Sequence, residues 1–502
     1  MPLLPPRKWL LLACLSGIVM GLVPPMIAQP ARTSPKPPPV RASSCPASGA
    51  QADTLQEAID AGEALPAPLR ADALIRIADK MKGRCPKQAY ELLENAFEQA
   101  GTVKEPSAYR SIARLVDSRA GTEAKVASQG MDRLSLQSKA ILVLVSFRPA
   151  DAIRFFRRIA TPRPEAVGCS HLAVPDVSIY YKTLDKVLEL LQEKSAGVPG
   201  KVAAFELLQN AVESTTAPEQ LAPLLRTLDH AAISRSELSQ LVDSLAVRVE
   251  VFPVDDRTLS TVGPGAVESI DKLSRLPGTP NYPLLHSFEK YMRNSLHAAH
   301  CSTVAKSEIS TVPVYEAFNR TLASATSGIE ELPLNSISPA VEQSGDEIGY
   351  WKSKRSQDLL NSAKHLNFDD SWIKYVSDQT NSSDWRARID SILNDIHGWR
   401  ESEEADAIDY YHEKCILIHG ILTRLPATDP MYGKALDELV TTFEASSLQT
   451  ERPAEWYWEI TMLVRASRRD KSGNMFPAVL AALARSKNGY LPAVSVLMNV
   501  LE

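Results

Sequence analysis

Apolar residues recur every three to four positions along most of this chain. Between Ala67 and Gly101, Leu69, Ala73, Ile77 and Met81 form one such series, and Ala89, Leu92, Leu93, Ala96 and Phe97 form a second. That spacing puts each series on one face of a 3.6-residue helix. Pro86 is placed to open the second helix and Gly101 to close it. A helical hairpin of this kind cannot bury its stripes alone and needs neighbours like itself. The chain supplies them. Asp53 caps a helix to Gly62, Pro106 opens a run with Tyr109, Ile112, Ala113 and Val116 on one face, and Pro149 opens another with Ile153, Phe156 and Ile159. Leu134 to Phe147 contains the unbroken apolar stretch Ala140 to Val145, flanked by helix formers. It is read as a central helix packed on several sides rather than as a buried strand. Further helices are predicted over 176–193, 201–213, 217–232, 235–252, 266–276 and 282–300, then over 352–365, 384–399, 405–425, 429–445, 454–468, 474–486 and 491–501. No strand pair and no Asn-Gly hairpin is predicted. The fold class is therefore all-α: an irregular array of solenoid-like helical hairpins with no significant sheet.

Within the first hairpin, Leu74, Ile77, Ala78 and Met81 sit where the first helix of a tetratricopeptide repeat carries its packing residues. Ala89, Leu93 and Ala96 sit near the positions of its second helix. Residues 70–101 thus resemble a degenerate tetratricopeptide-type repeat, with the register between the helices one residue short. The resemblance implies stacked helix pairs and a peptide- or protein-binding surface, and it carries over no functional residue. Elsewhere helix lengths vary without a fixed period, which fits an irregular array.

Five segments follow from changes in composition. Arg7 and Lys8 precede an uncharged run from Trp9 to Val23, and Met26-Ile27-Ala28 ends in a small residue. Residues 1–28 read as a secretory signal peptide, or as an N-terminal membrane anchor if uncleaved. Residues 29–50, rich in Pro and Ser, read as a disordered tether. Residues 51–323 form an N-terminal helical domain. Residues 324–350 lack a sustained period and read as a boundary or long loop. Residues 351–502 form a C-terminal helical domain that holds every tryptophan except Trp9. The expected location is periplasmic or extracellular, with membrane attachment only through an uncleaved N-terminal segment. The formal net charge is −5, and residues 1–28 contribute +2 of it, which leaves −7 after cleavage. An acidic chain is poorly suited to general nucleic-acid binding, which rests on neutralising phosphates. The cluster Arg465, Arg468, Arg469 and Lys471 reads as a solvated helix face.

Export makes disulfides plausible for the cysteines beyond Cys14. Cys45 with Cys85 would pin the tether to the first hairpin, and Cys169 with Cys301 is the other natural pair. Cys169, His171, His300 and Cys301 also make a thiolate and imidazole set of the kind zinc takes, while unpaired thiols are the third reading. No cofactor is expected, with zinc at these four residues as the alternative. His412, Cys415 and His419 share a face of one helix, but the HExxH spacing fails at Ile416. Glu401, Glu403, Glu404, Asp406 and Asp409 crowd a helix start, where the dipole favours acids and where an acid/base pair would be the alternative. Trp456, Tyr457 and Trp458 are adjacent, so about 100° separates each from the next, and at least one must leave the core-facing side. They are the candidate partner-binding residues. No Gly-rich phosphate loop, Gly-x-Ser-x-Gly elbow or Rossmann fingerprint occurs. The function this implies is a non-enzymatic exported scaffold that binds another protein. The alternative is an all-α hydrolase or metal-dependent enzyme acting on an envelope component.

Overall fold

The computed structural model describes residues 50–501, apart from 106, 112–118, 170–172, 194–196, 276–281, 299, 304–305, 310, 324–327, 338–339, 342–349, 365–381, 405, 469–472 and 488. The expected signal and almost all of the tether lie outside the described residues.

The chain folds as α1 (Ala50–Glu63), α2 (Ala67–Met81), α3 (Pro86–Gly101), β1 (Ala108–Ser111), α4 (Arg119–Ala127), α5 (Arg133–Val145), α6 (Pro149–Phe156), β2 (Ala173–Asp176) and α7 (Ser178–Gln192). It continues through α8 (Gly197–Glu213), α9 (Leu221–His230), α10 (Arg235–Glu250), α11 (Asp256–Leu259), α12 (Gly263–Ser274), α13 (Pro283–Leu296), β3 (His300–Thr303), β4 (Lys306–Ile309), α14 (Val312–Phe318) and β5 (Ala340–Val341). The last stretch is α15 (Lys354–Lys364), α16 (Ser382–Gly398), α17 (Ala407–Leu422), α18 (Pro430–Ala445), α19 (Leu448–Glu451), α20 (Pro453–Arg468), α21 (Met475–Ala484) and α22 (Tyr490–Leu501). The fold is an all-α helical array.

Local signals account for many helix starts. Asp132 caps α5 by accepting from Ser135 N at 2.9 Å, and Asp429 caps α18 by accepting from Met431 N at 2.9 Å. Ser234 and Glu237 form a reciprocal capping box at α10. Pro86 opens α3. Gly130 holds φ +65° in the turn between α4 and α5, a conformation glycine adopts without steric cost, and a Cβ there would lie 3.0 Å from the Ser135 Cβ.

Packing follows chain order at first. α2 packs on α1 and α3, α3 on α5, α5 on α6 and α7, and α7 on α8 and α9. Beyond that, α8 meets α10, α9 meets α12, and α13 lies on α10. The uninterrupted apolar run is helix α5, which touches α2, α3, α6 and α7 and buries Leu134, Leu136, Ala140, Ile141 and Leu144. In the C-terminal part, α16 and α17 pack on α18, α18 on α21, and α21 on α20 and α22. That part then returns to the beginning: α22 lies against α1 and α2, and α20 against α2 and α4. All described residues fall in one compact unit. α2 is consequently covered on several sides, and buries Asp72 along with Leu69, Leu74, Ile77 and Met81.

Two small sheets depart from the sequence reading. β1 pairs antiparallel with β2, from Ala108 opposite Asp176 to Ser111 opposite Ala173. β3 pairs antiparallel with β4 and parallel with β5, with His300 opposite Ala340 and Cys301 opposite Val341. Residues 108–111, expected to be helical after Pro106, are therefore a strand, while Ile112, Ala113 and Val116 lie outside the described residues. Strands of two to four residues are too short to display a period of two, and their partners lie far along the chain. Pro175 is tolerated in β2 because both strands of a two-stranded sheet are edges.

Candidate functional site

Helix α20 sends its three adjacent aromatic residues in different directions. Trp456 enters the core, donates from Nε1 to the Phe443 carbonyl at 3.2 Å and meets the Tyr490 ring edge-on. Tyr457 is buried, and burial is the largest of the influences that raise the pKa of its hydroxyl, so it stays a neutral phenol. The charge of Asp72 pushes the same way, and contact with Arg76 opposes it. Trp458 remains half-buried. It lines a cleft of about 190 Å³ together with Asp72 and Arg76 of α2, Lys139 of α5, and Tyr457 and Arg465 of α20. Asp72 and Arg76 are four residues apart and share a face of α2. Trp458, Thr461 and Arg465 follow the same logic along α20.

The cleft is held in shape from inside. Lys139 Nζ lies 3.2 Å from Asp72 Oδ1 and donates to the Gly130 carbonyl at 2.9 Å, which ties α5, α2 and the α4–α5 turn together. Thr461 Oγ1 donates to the Trp458 carbonyl at 2.8 Å and so is engaged within its own helix. Arg465 is exposed and makes no hydrogen bond or ion pair with another described residue. Three cations and one carboxylate line the cleft, so its net charge is positive. A wider depression of about 710 Å³ runs along α10, but every residue lining it belongs to that one helix, so nothing converges on it from another element.

Cys169 and Cys301 are joined in a disulfide, Cα to Cα 5.2 Å. Beside it lies a buried polar knot. Asp255 accepts from Val167 N at 2.6 Å and from Arg257 N at 3.0 Å. Asp256 accepts from Thr311 Oγ1 at 2.7 Å and Cys301 N at 2.9 Å, and its Oδ1 is 2.8 Å from His300 Nδ1. His300 Nε2 faces the Leu296 carbonyl at 3.1 Å. The buried Arg257 donates to the Cys169 carbonyl at 2.7 Å. Of the four residues read as a zinc set, three are described. Both sulfurs are spent on each other, whereas zinc takes thiolates, and both ring nitrogens of His300 have protein partners. His171 lies outside the described residues. Cys85 is also disulfide-bonded, and Cys45 lies outside the described residues.

His412, Cys415 and His419 share the face of α17 that meets α20. His412 Nδ1 is 3.1 Å from Glu459 Oε1, and its Nε2 is 3.6 Å from Glu455 Oε2, an ion-pair distance too long for a hydrogen bond. Burial pulls the His412 pKa down, but the carboxylates of Glu455 and Glu459 outweigh it and raise it to about 9. His419 Nδ1 lies 3.6 Å from Glu459 Oε2, and burial lowers its pKa. Cys415 is a free, buried thiol pushed well above its ordinary pKa by burial. Glu413 accepts from Trp351 N, and burial pushes its pKa up to about 8. Among the described residues, no group of three or more His, Cys, Asp and Glu side chains is arranged to hold a metal ion.

Four of the five acids at the start of α17 are engaged in a cap, ion pairs or a hydrogen bond. Asp406 caps the helix through Ile408 N at 2.8 Å. Arg119 Nη2 bridges Asp406 and Asp409 at 3.0 Å each. Glu404 accepts from Ser353, and Arg355 Nε approaches Glu403 at 3.8 Å.

Sequence reasoning singled out Trp458 but passed over Asp72, Arg76 and Lys139. Those three flank apolar stripes on α2 and α5, and only the return of α20 to α2 brings them opposite it. Arg465 read as part of a solvated face.

No protein-family model matches the chain, and no curated protein matches it. The helix pairs stack in a repeat-like way, but nothing ties them to the tetratricopeptide family. A solved structure titled a circular tandem repeat protein with novel repeat topology and enhanced subunit contact surfaces aligns with the chain. The identity is 11% over 86% of each chain, and the TM-score of 0.16 carries no argument about fold or function.

Proposed function

We propose that this protein is a non-enzymatic, exported helical scaffold that binds another protein, and that it does so at the cleft between α2, α5 and α20. The observation that carries this reading is Trp458. It is a large aromatic side chain left half-buried on a pocket wall, next to an arginine with no hydrogen bond or ion pair to another described residue. Trp and Arg anchors at a pocket are the residue types that dominate binding energy at protein interfaces. The signal-like pattern at residues 1–28 supports export. Among the described residues no helix is long and apolar enough to cross a membrane.

The test is site-specific photocrosslinking in the source cells, with Trp458→p-benzoylphenylalanine in the full chain. The control is His286→p-benzoylphenylalanine on α13, an exposed position on a helix that packs against α10 and α12. A discrete protein adduct at 458 that is absent at 286 and lost with Arg465→Glu is the expected result. Identical adducts at both positions, or none at 458, would overturn the reading.

A further inference from the structure

We propose that the turn Asp255-Asp256-Arg257 is a template for the Cys169–Cys301 pair. It holds the two cysteines side by side whether or not they are joined, so the disulfide opens and closes as a redox latch while the fold around it persists. The cleft at Trp458 plays no part in this. Three consecutive side chains reach both cysteine-bearing segments. Asp255 Oδ2 accepts from Val167 N at 2.6 Å and Arg257 Nη2 donates to the Cys169 carbonyl at 2.7 Å, which grips the first segment at two points. Asp256 Oδ2 accepts from Cys301 N at 2.9 Å, which grips the second. Each of these bonds ends on backbone, and none uses sulfur. The turn is itself braced. Asp255 Oδ1 accepts from Arg257 N at 3.0 Å, and Asp256 Oδ1 accepts from Thr311 Oγ1 at 2.7 Å and lies 2.8 Å from His300 Nδ1. All three side chains of the turn are buried, where charge-assisted hydrogen bonds are at their strongest. Strand β5 adds a further hold on the second segment, with Val341 opposite Cys301. In the unfolded chain, by contrast, the cysteines are separated by 132 residues and meet rarely.

The two cysteines differ in access. Cys301 is buried, whereas Cys169 is partly exposed. The thiolate is the nucleophile in thiol–disulfide exchange, and burial disfavours it. Exchange therefore enters at Cys169. Its thiolate attacks an external disulfide, forms a mixed disulfide and expels one thiolate. Cys301 then loses its proton, attacks the Cys169 sulfur and expels the second. The external disulfide gains the two electrons that the dithiol loses, and the two cysteine protons end on the two released thiols. Reduction runs the same steps backwards, with an external thiolate attacking Cys169 and Cys301 leaving.

The test equilibrates the full chain in glutathione buffers of graded thiol-to-disulfide ratio, traps thiols by alkylation and reads Cys169 and Cys301 by peptide mass spectrometry. The same titration is run in concentrated guanidinium chloride. The effective concentration of one cysteine at the other is expected to be at least about a thousandfold higher in the folded chain. Asp255→Asn leaves one oxygen for the N–H groups of Val167 and Arg257, and is expected to lower the folded value at least about tenfold. Thr311→Val removes a bond to Asp256 but touches neither cysteine segment, and is expected to leave the value unchanged. Hydrogen exchange supplies a readout free of sulfur chemistry. In a chain carrying Cys169→Ser and Cys301→Ser together, the amides at 167 and 301 should stay as protected as in the oxidised protein. Limited alkylation of the reduced chain should modify Cys169 before Cys301. Folded and unfolded values within about tenfold of each other, or equal effects of Asp255→Asn and Thr311→Val, would overturn the proposal. So would loss of protection at 167 and 301, or failure of the double serine variant to fold, because the bond would then make the fold. Alkylation of Cys301 first would overturn the route through Cys169.

Discussion

Two of the places where the described residues bury charge satisfy it by different means. Around the Cys169–Cys301 disulfide, Asp255 and Asp256 take hydrogen bonds chiefly from backbone N–H groups and from Thr311 and His300. Between α17 and α20, His412, His419, Glu455 and Glu459 pair, among the described residues, with each other and with Arg452. The cause is local geometry. The first knot lies where short elements meet, and N–H groups of irregular backbone are free to turn toward a carboxylate. The second lies between long helices whose N–H groups are spent within their own ladders. Side chains alone then have to pair, and His412 Nε2, His419 Nε2 and Glu455 Oε2 are left without a hydrogen bond among the described residues. Buried polar groups cost free energy when unpaired, so the second knot is held less firmly and responds more to protonation. Glu219, whose carboxylate feels the charge of Asp255, differs from the first knot: among the described residues both its oxygens lack a hydrogen-bond partner, and burial raises its pKa to about 7.

Asp256→Ala should break the first knot and have the largest effect. It strips partners from His300, Thr311 and Cys301 N together, and a loss of about 4 kcal/mol is expected in denaturant unfolding. A cost below about 1 kcal/mol would mean that the two knots do not differ in firmness.

Glu413→Gln should have an intermediate effect that depends on pH. A carboxyl raised in the fold is protonated there while the unfolded chain releases its proton near 4.5. Its stabilising contribution is therefore complete below about 4.5 and lost as pH rises through about 8. His412, raised to about 9, adds a loss of the same sign between about 6.5 and 9. His419, with a lowered pKa, opposes only below about 6.5. Wild-type stability should thus fall from pH 6.5 to 9. Glu413→Gln should fall less and be the more stable at pH 9, by on the order of 2 kcal/mol. Parallel stability curves for the two proteins would contradict the account.

The smallest effect is expected at the surface. Trp458→Ala at the cleft should cost only about 1 kcal/mol of stability, because the ring is half in solvent. Thermal unfolding checks this. A loss as large as that of Asp256→Ala would make Trp458 a core residue rather than a binding one.

The helices were legible because their signal is local. Pro86 and the apolar period place α3, the apolar run places α5, and the predicted 429–445 and 454–468 lie within one residue of α18 and α20. What depends on distant partners was not legible. β1 is four residues whose partner β2 lies beyond three helices. His300 and Cys301 were read with their neighbours in sequence, and their partner in space, Asp256, lies on another element that the sequence did not point to. Trp458 could be flagged from the 100° step between adjacent helical residues, but the other wall of its cleft could not.

Gly62 on α1 has room for no more than a small side chain: a Cβ there would lie 3.4 Å from Ala73 Cβ and 3.9 Å from Leu497 Cδ2. That contact fixes the order in which the molecule can be completed. During synthesis the earliest helices emerge with one apolar face uncovered, and the segment that covers it is the last of those described to arrive. Until α22 docks, the nascent chain carries exposed hydrophobic surface, the condition under which long polypeptides aggregate or recruit holdases. Closing so long a loop adds only logarithmically to the entropy cost, so the burden falls on the lifetime of the open intermediate and not on the stability of the finished fold.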